Sequence, residues 1–415
     1  MLVIIIVVFS HFITAPYSNN EETFPATPTL SFIDKIKVYL LGYPLDNVLG
    51  FVEYAAQYGY HASGYSVVTQ DGYILDVYQL LSSQCNGYRE TPVLMLQGLS
   101  QSSTAWLDAG PEESLAFLLA DECHDLWIGN FRGTTLGRKH VRLNPDKDGE
   151  FWDFSFDDMG VHDLPTTIHF ILETTKVRKI SFIGYSQGAA VMAVMCSEAP
   201  AHCQKVKTFI GLAPAIIMKN SRSAVRICSW FGNVPWTVSK LLGIHEVLNQ
   251  GSLFQSLVEF VCHIPIISYL PCQALISLVD STDPFSIRPR TFRRLFAHIM
   301  SGSSVKNYVR YCQMFRSDCF EKFDYGEDEN LNRYGSPRPP VYNLSKMSLP
   351  VLLVTAPNDH IVDVKDVIWL HHQLPNSTLH ILEDSWWNHM DVAYSRKIPT
   401  VLFPVIHKHL LTFYK

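Results

Sequence analysis

Charge is scarce in this chain. Acidic and basic residues together make up 17% of 415 positions, and the formal net charge is −6. No long basic run occurs; even positions 288–294 hold only four basic residues. A nucleic-acid groove needs a concentrated basic stripe, so nucleic acid is excluded as an expected partner. Hydrophobic residues at 47% exclude a disordered chain. No C-x-x-C pair and no zinc-ligand spacing is present, which argues against a structural metal. No apolar run reaches the roughly 20 residues of a membrane-spanning helix. Internal repeats and low-complexity tracts are missing as well, which excludes a solenoid.

What is present begins with a short leader. Leu2–Phe9 is wholly apolar, and the run continues with interruptions to Ile13. It suits the apolar part of a signal peptide, with Ala15 and Ser18 as small residues near a cleavage point. Residues 1–18 are therefore expected to be a signal peptide. A retained N-terminal membrane anchor is the alternative, because the basic flank is missing. Either places the chain on the secretory route, secreted or lysosomal. Nine cysteines leave at least one thiol outside intramolecular pairing. Cys262 with Cys272 is one candidate disulfide by proximity, and Cys312 with Cys319 is another. Two glycosylation sequons, at Asn343 and Asn376, agree with the same route.

Hydrophobic patterning predicts an interrupted α/β core. Two β-rich runs flank Asp71-Gly72 and read as a hairpin. Short continuous apolar runs at Val93–Leu96, Asp125–Gly129, Lys179–Gly184, Phe209–Leu212, Val351–Thr355 and Thr378–Leu382 read as strands, most of them buried on both faces. Helical spacing at Leu164, Ile168, Ile171 and Leu172, then a small-residue helix over Ala189–Cys196, alternates with them. That alternation predicts an α/β fold with a mainly parallel sheet and helices on both faces. It breaks between about Ile216 and Ser336, where long helical runs, proline breaks and aromatics predominate. The expected layout is a core over 45–215 and 337–415, interrupted by a mostly helical insertion over 216–336. Within the insertion, Val225–Phe231, Leu241–Leu248, Phe254–Ile267 and Phe292–Met300 are apolar at roughly helical spacing. Such runs pack the insertion's own core, line an apolar tunnel or touch a lipid surface.

Gly184-Tyr-Ser186-Gln-Gly188 follows a strand and precedes a helix. That is the context in which G-x-S-x-G presents a nucleophile on a strained turn, with the helix N-terminus behind it. Serine alone is a poor nucleophile and needs a base oriented by a carboxylate. Asp359 follows the strand Val351–Thr355, and His389 follows the next strand, in the chain order Ser, Asp, His. His380 lies within a strand-like run, and Asp363 and Asp366 sit at a helix start, so they read as structural. The N–H of Gln187 is one candidate oxyanion donor; that of Leu99, in the loop Gln97-Gly98-Leu99-Ser100, is the second.

At these residues the chain resembles the acid lipase family, which includes gastric and lysosomal acid lipases and related sterol esterases. The likeness runs from about Tyr58 to near the C-terminus. It rests on 59–75, on Asp125-Leu-Trp-Ile-Gly-Asn-Phe-Arg-Gly-Thr-Thr, on Phe151-Trp-Asp-Phe-Ser-Phe-Asp-Asp-Met, on Gly184–Gly188, on Asn358-Asp359 and on Asn388-His389-Met-Asp391. Tyr185 replaces the family's usual histidine, and Gln97 replaces another in the oxyanion loop. The resemblance implies an α/β-hydrolase fold with an inserted cap and lid. It further implies a Ser186–His389–Asp359 triad and hydrolysis of lipid esters, triacylglycerol or steryl ester, at a lipid–water interface. This chemistry calls for no metal or organic cofactor. Two other functions stay open: an esterase for short soluble esters, and a non-catalytic lipid-binding protein on the same fold.

Overall fold

The computed structural model describes residues 30–41, 43, 45–264 and 269–414. The expected leader, 1–18, lies outside them. The expected hairpin is formed by β1 (Tyr60–Val68) and β2 (Tyr73–Ser82), paired antiparallel with Val68 opposite Ile74. Gly72 makes the turn at φ +100°, a backbone angle that glycine adopts without steric cost.

The remaining strands of the main sheet are β3 (Val93–Leu96), β4 (Leu126–Ile128), β5 (Lys139–His140), β6 (Ile180–Tyr185), β7 (Val206–Leu212), β10 (Val351–Thr355) and β11 (Ser377–Ile381). Their order is β1-β2-β4-β3-β6-β7-β10-β11, with β5 beside β2. From β4 across to β11 every pairing is parallel. Parallel strands are covered by helices on both faces, which is why β3, β4, β6 and β10 are buried at every residue and read as unbroken apolar runs. Helices Leu164–Thr175 and Gln187–Glu198 pack on one face, with Trp127 and Phe182. Helices Leu115–Asp121 and Phe403–Leu411 pack on the other, with Ile183 and Leu352. Pro165 falls in the first turn of its helix, where no intrahelical N–H is needed.

The order has one reversal. From β3 the chain moves outward to β4, then crosses back to β6 on the other side of β3 and proceeds to β7, β10 and β11. Connections leaving the carboxyl ends of β3 and β6 therefore run to opposite sides, the switch point at which open α/β sheets bind ligands.

Between β7 and β10 the chain leaves the sheet. The described elements of this excursion include the 3₁₀ helix Ala224–Phe231 and helices Val234–Leu241, Leu253–His263, Tyr269–Ser277, Pro289–His298, Val305–Met314 and Glu327–Tyr334. A short ladder pairs β8 (Glu246–Val247) with β9 (Ser303–Ser304). The run Leu241–Leu248 is thus not helical throughout: one helix ends at Leu241, and the chain turns into β8 because β9 offers it a partner. Phe292, Leu295 and Phe296 are buried and serve as core. By contrast Ile227, Trp230 and Phe231 lie exposed.

Four disulfides form: Cys85–Cys123, Cys196–Cys203, Cys228–Cys312 and Cys262–Cys272. The pairing of Cys262 with Cys272 agrees with proximity in sequence. Cys312 does not pair with Cys319. It lies on the helix Val305–Met314, which packs against the 3₁₀ helix carrying Cys228, and Cys319 remains a free, half-buried thiol. Among the described residues no helix is long and apolar enough to cross a membrane. A non-reducing peptide map is expected to recover these four cross-links, with Cys319 alkylated by iodoacetamide. A recovered Cys312–Cys319 peptide would contradict the fold of the excursion.

Candidate active site

Strand β6 ends at Tyr185 and a helix begins at Gln187, so Ser186 alone makes the turn between them. Its backbone sits at φ +51° and ψ −108°. That conformation costs a non-glycine residue about 1–3 kcal/mol and persists only where neighbours enforce it. Two glycines make the enforcement possible. A Cβ on Gly184 would lie 2.7 Å from the backbone carbon of Gly188, and one on Gly188 would lie 2.5 Å from the carbonyl oxygen of Leu96. Backbone contact that close locks strand, turn and helix together. The Ser186 N–H donates to the Leu212 carbonyl at 2.9 Å, which ties the turn to β7.

The hydroxyl of Ser186 meets His389 Nε2 at 2.9 Å, and His389 Nδ1 meets Asp359 Oδ2 at 2.8 Å. All three residues are buried. Asp359 follows β10 and His389 follows β11, so the parallel sheet delivers both to the carboxyl edge that presents Ser186. The other carboxylate oxygen of Asp359 accepts the N–H groups of Ile361 (2.9 Å) and Val362 (2.7 Å), which fixes its orientation. A carboxylate facing Nδ1 keeps the proton there and leaves Nε2 as the acceptor toward the serine hydroxyl. Burial pulls the His389 pKa down. The charge and hydrogen bond of Asp359, with a contribution from Asp280, more than offset that and raise it above its ordinary value.

Tyr185 donates its phenolic proton to the His389 carbonyl at 3.0 Å. Burial pushes its pKa well above the usual range, so the donor keeps its proton. The residue that departs from the family's pentapeptide thus braces the loop of the histidine.

The loop after β3 comes close to the serine: a Cβ on Gly98 would lie 3.3 Å from Ser186 Cβ. Gly98 N–H donates to Gln101 Oε1 (2.9 Å) and Gly188 N–H to the Gln97 carbonyl (3.1 Å). The N–H groups of Leu99 and Gln187 have no hydrogen-bond acceptor among the described residues. Gln187 is the first residue of its helix, where N–H groups lack intrahelical partners. Both candidate donors are therefore available to a ligand oxygen.

The excursion supplies contacts that sequence reading missed. Asn307, fully buried on the helix Val305–Met314, donates to the Gln187 side-chain oxygen (2.9 Å) and accepts the Phe156 N–H (2.8 Å). Its neighbour Tyr308 shares a short hydrogen bond with Ser100, next to Leu99. One helix thus grips the start of the helix after the serine and the loop beside it. Nothing local in Ser304–Tyr308 announces this, since the partners lie 120 and 208 residues earlier. Asp363 caps the following helix by accepting from Lys365, Asp366 lies in its first turn, and His380 lies in β11. None of the three joins the Ser186–His389–Asp359 chain.

Residues 51–110 match the family described as a partial α/β-hydrolase lipase region, and residues 91–264 match the α/β-hydrolase fold. The gastric triacylglycerol lipase of Rattus norvegicus is 34% identical over 83% of this chain and 87% of its own. Lipase member K of Homo sapiens is 32% identical over 83% and 86%. The chain belongs to the acid lipase family. Among solved structures, a lipase of Sulfolobus solfataricus described as putative aligns with a TM-score of 0.54 at 15% identity, over 85% of this chain and 95% of that one. That likeness shows the fold, which this acid lipase family member shares across a wide sequence distance.

Two measurements check the site. A histidine NMR titration is expected to place the His389 midpoint above the ordinary value of about 6.5. Asp359→Asn should lower it, and an unmoved midpoint would reject the pairing. Asn307→Ala leaves the Gln187 amide oxygen and the Phe156 N–H unpaired in the interior. It is expected to cost about 2 kcal/mol or more in denaturant unfolding; a loss near zero would mean the grip is immaterial.

Proposed function

We propose that this chain hydrolyses carboxylic esters of apolar lipids, triacylglycerol or steryl ester, by acyl transfer through Ser186. The observation that supports this most is the unbroken hydrogen-bonded chain from Ser186 through His389 to Asp359. Long coverage by relatives named as triacylglycerol lipases adds the substrate class.

In this reading His389 Nε2 takes the Ser186 proton as Oγ attacks the ester carbonyl. Asp359 stabilises the imidazolium that forms. The N–H groups of Leu99 and Gln187 hold the developing oxyanion at a helix N-terminus, where negative charge is favoured. The tetrahedral intermediate collapses as His389 returns the proton to the departing alcohol. Water then attacks the acyl-enzyme with His389 as base, and the fatty acid leaves.

Segment 216–336 acts as cap and lid, with 45–215 and 337–415 as the catalytic core. Because Ser186 is only 6% exposed, a lipid ester reaches it after covering elements move. Trp230 (76% exposed) and Leu241 (81%) stand on adjoining helices of the excursion, with Val234 and Leu242 also exposed. Apolar side chains presented in this way suit contact with a lipid–water interface. Four disulfides fit an oxidising compartment, and the protein is accordingly secreted or lysosomal. Asn343 and Asn376 are exposed, as glycan acceptors must be.

The test is fatty-acid release from dispersed long-chain triacylglycerol and cholesteryl ester, at acidic and neutral pH, by wild type and Ser186→Ala. Release is expected from wild type and should fall roughly 10⁵-fold in the variant. Cleavage of dissolved short esters alone would move the assignment to a soluble esterase. No hydrolysis of any ester would leave a lipid-binding protein.

A further inference from the structure

One carboxylate from the excursion reaches the acid–base pair without belonging to it. Asp280 is 3% exposed. Its Oδ1 accepts the N–H of His360 (3.1 Å) and its Oδ2 accepts the N–H of Met390 (3.2 Å). These are the residues immediately after Asp359 and His389. The next residues of the same segment secure the other sides. Ser281 Oγ donates to the Asn358 carbonyl, while the Ser281 carbonyl accepts from Asn388 Nδ2 (3.0 Å). The Thr282 carbonyl accepts from Asn358 Nδ2 (3.1 Å). Residues 280–282 thus bond to both chain neighbours of Asp359 and to both chain neighbours of His389.

We propose that Asp280 is a positioning residue for the reaction: its charged carboxylate clamps the loop of Asp359 to the loop of His389 and sets the proton affinity of that histidine. This rests on the reading of Ser186, His389 and Asp359 as an acyl-transfer triad. The two loops hang from neighbouring strands, so β-sheet pairing fixes their roots. Beyond the strand ends further ties are needed: Asn358 Nδ2 donates to the Trp386 carbonyl (2.7 Å), and the Asp280 carboxylate bridges the residues that follow the acid and the base. Backbone N–H groups donating to a charged acceptor make stronger bonds than neutral pairs do.

The charge acts as well as the geometry. The titratable groups that face Asp280 are Asp359 and His389, from the two loops, and the Tyr185 phenol, from β6. Burial, and then the neighbouring Asp359 charge, push the Asp280 carboxyl up to about 6, while His389 pulls it back. Above that pH Asp280 is ionised and favours the imidazolium of His389. Removing its charge therefore lowers the His389 pKa, and the neutral, proton-accepting imidazole persists to lower pH. A purely mechanical strap would not do this.

The experiment compares Asp280→Asn, Asp280→Glu and Ser281→Ala with wild type. The His389 titration is read by NMR, and kcat and KM on a dissolved ester are read against pH. Asp280→Asn keeps shape but turns one acceptor into a donor facing an N–H. Its His389 midpoint, and the acidic limb of the rate profile, are expected to fall by about 1 pH unit. Its plateau kcat should fall about tenfold through misplaced loops, with KM nearly unchanged. Asp280→Glu should restore the midpoint, and Ser281→Ala should leave it in place. Should Asp280→Asn not fold, Asp280→Ser removes the same charge with a smaller side chain. A midpoint in the uncharged variant equal to that of wild type overturns the proposal. The triad reading fails separately, if wild-type Ser186 neither reacts with a fluorophosphonate nor supports ester cleavage; the NMR titration still judges Asp280 in that event.

Discussion

A serine held at φ +51° between a strand and a helix is the constraint on which the rest of this structure depends. The angle is unfavourable for any residue with a side chain, so the surrounding packing has to exceed its cost. It does so through backbone contacts that only glycine permits at Gly184 and Gly188, and through β6, which is buried along its whole length between parallel neighbours. The strained turn lifts the hydroxyl out of the sheet edge toward His389 Nε2 and leaves the first helical N–H beside it without an acceptor among the described residues. The candidate nucleophile and its candidate electrostatic support thus come from one local geometry.

Sheet topology does the next part. Ser186 and the loop Gln97–Ser100 leave adjacent strands whose connections run in opposite directions, which brings both to the topological switch point. Asp359 and His389, the proposed acid and base, follow the carboxyl ends of β10 and β11, on the same edge. Three residues separated by as many as 203 positions meet because five consecutive pairings across the sheet are parallel.

The excursion between β7 and β10 is tied closely into this edge. Asn307 holds Gln187, Tyr308 holds Ser100, and Asp280–Thr282 hold the loops of Asp359 and His389. Any movement that opens the buried serine to lipid has to respect or release these bonds. Segments bonded to the loops of Asp359 and His389 therefore differ from the exposed apolar side chains Trp230 and Leu241, which make no side-chain hydrogen bond to those loops among the described residues.

Much of the core was legible in the sequence, for a physical reason. Strands buried on both faces must be continuously apolar, so Val93–Leu96 and Val351–Thr355 declare themselves locally. The turn at Ser186 demands glycines at fixed spacing, so the pentapeptide does too. The places of Asp359 and His389 after strands are legible too, since a parallel sheet brings strand ends to one edge, and the two side chains meet there. Non-local pairing was not legible. Cys312 joins Cys228 rather than nearby Cys319, and Leu241–Leu248 yields a strand because β9 lies beside it. Likewise Asn307, Tyr308 and Asp280 look like ordinary helix and loop residues until the chain is folded. By itself the sequence determined most of the elements, the turn at Ser186 and the places of Asp359 and His389 after strands, since each of these follows from local patterning and backbone sterics. The tertiary structure alone decided which distant side chains grip those loops, because a hydrogen-bond partner far along the chain is chosen by packing and leaves no periodic trace in the sequence.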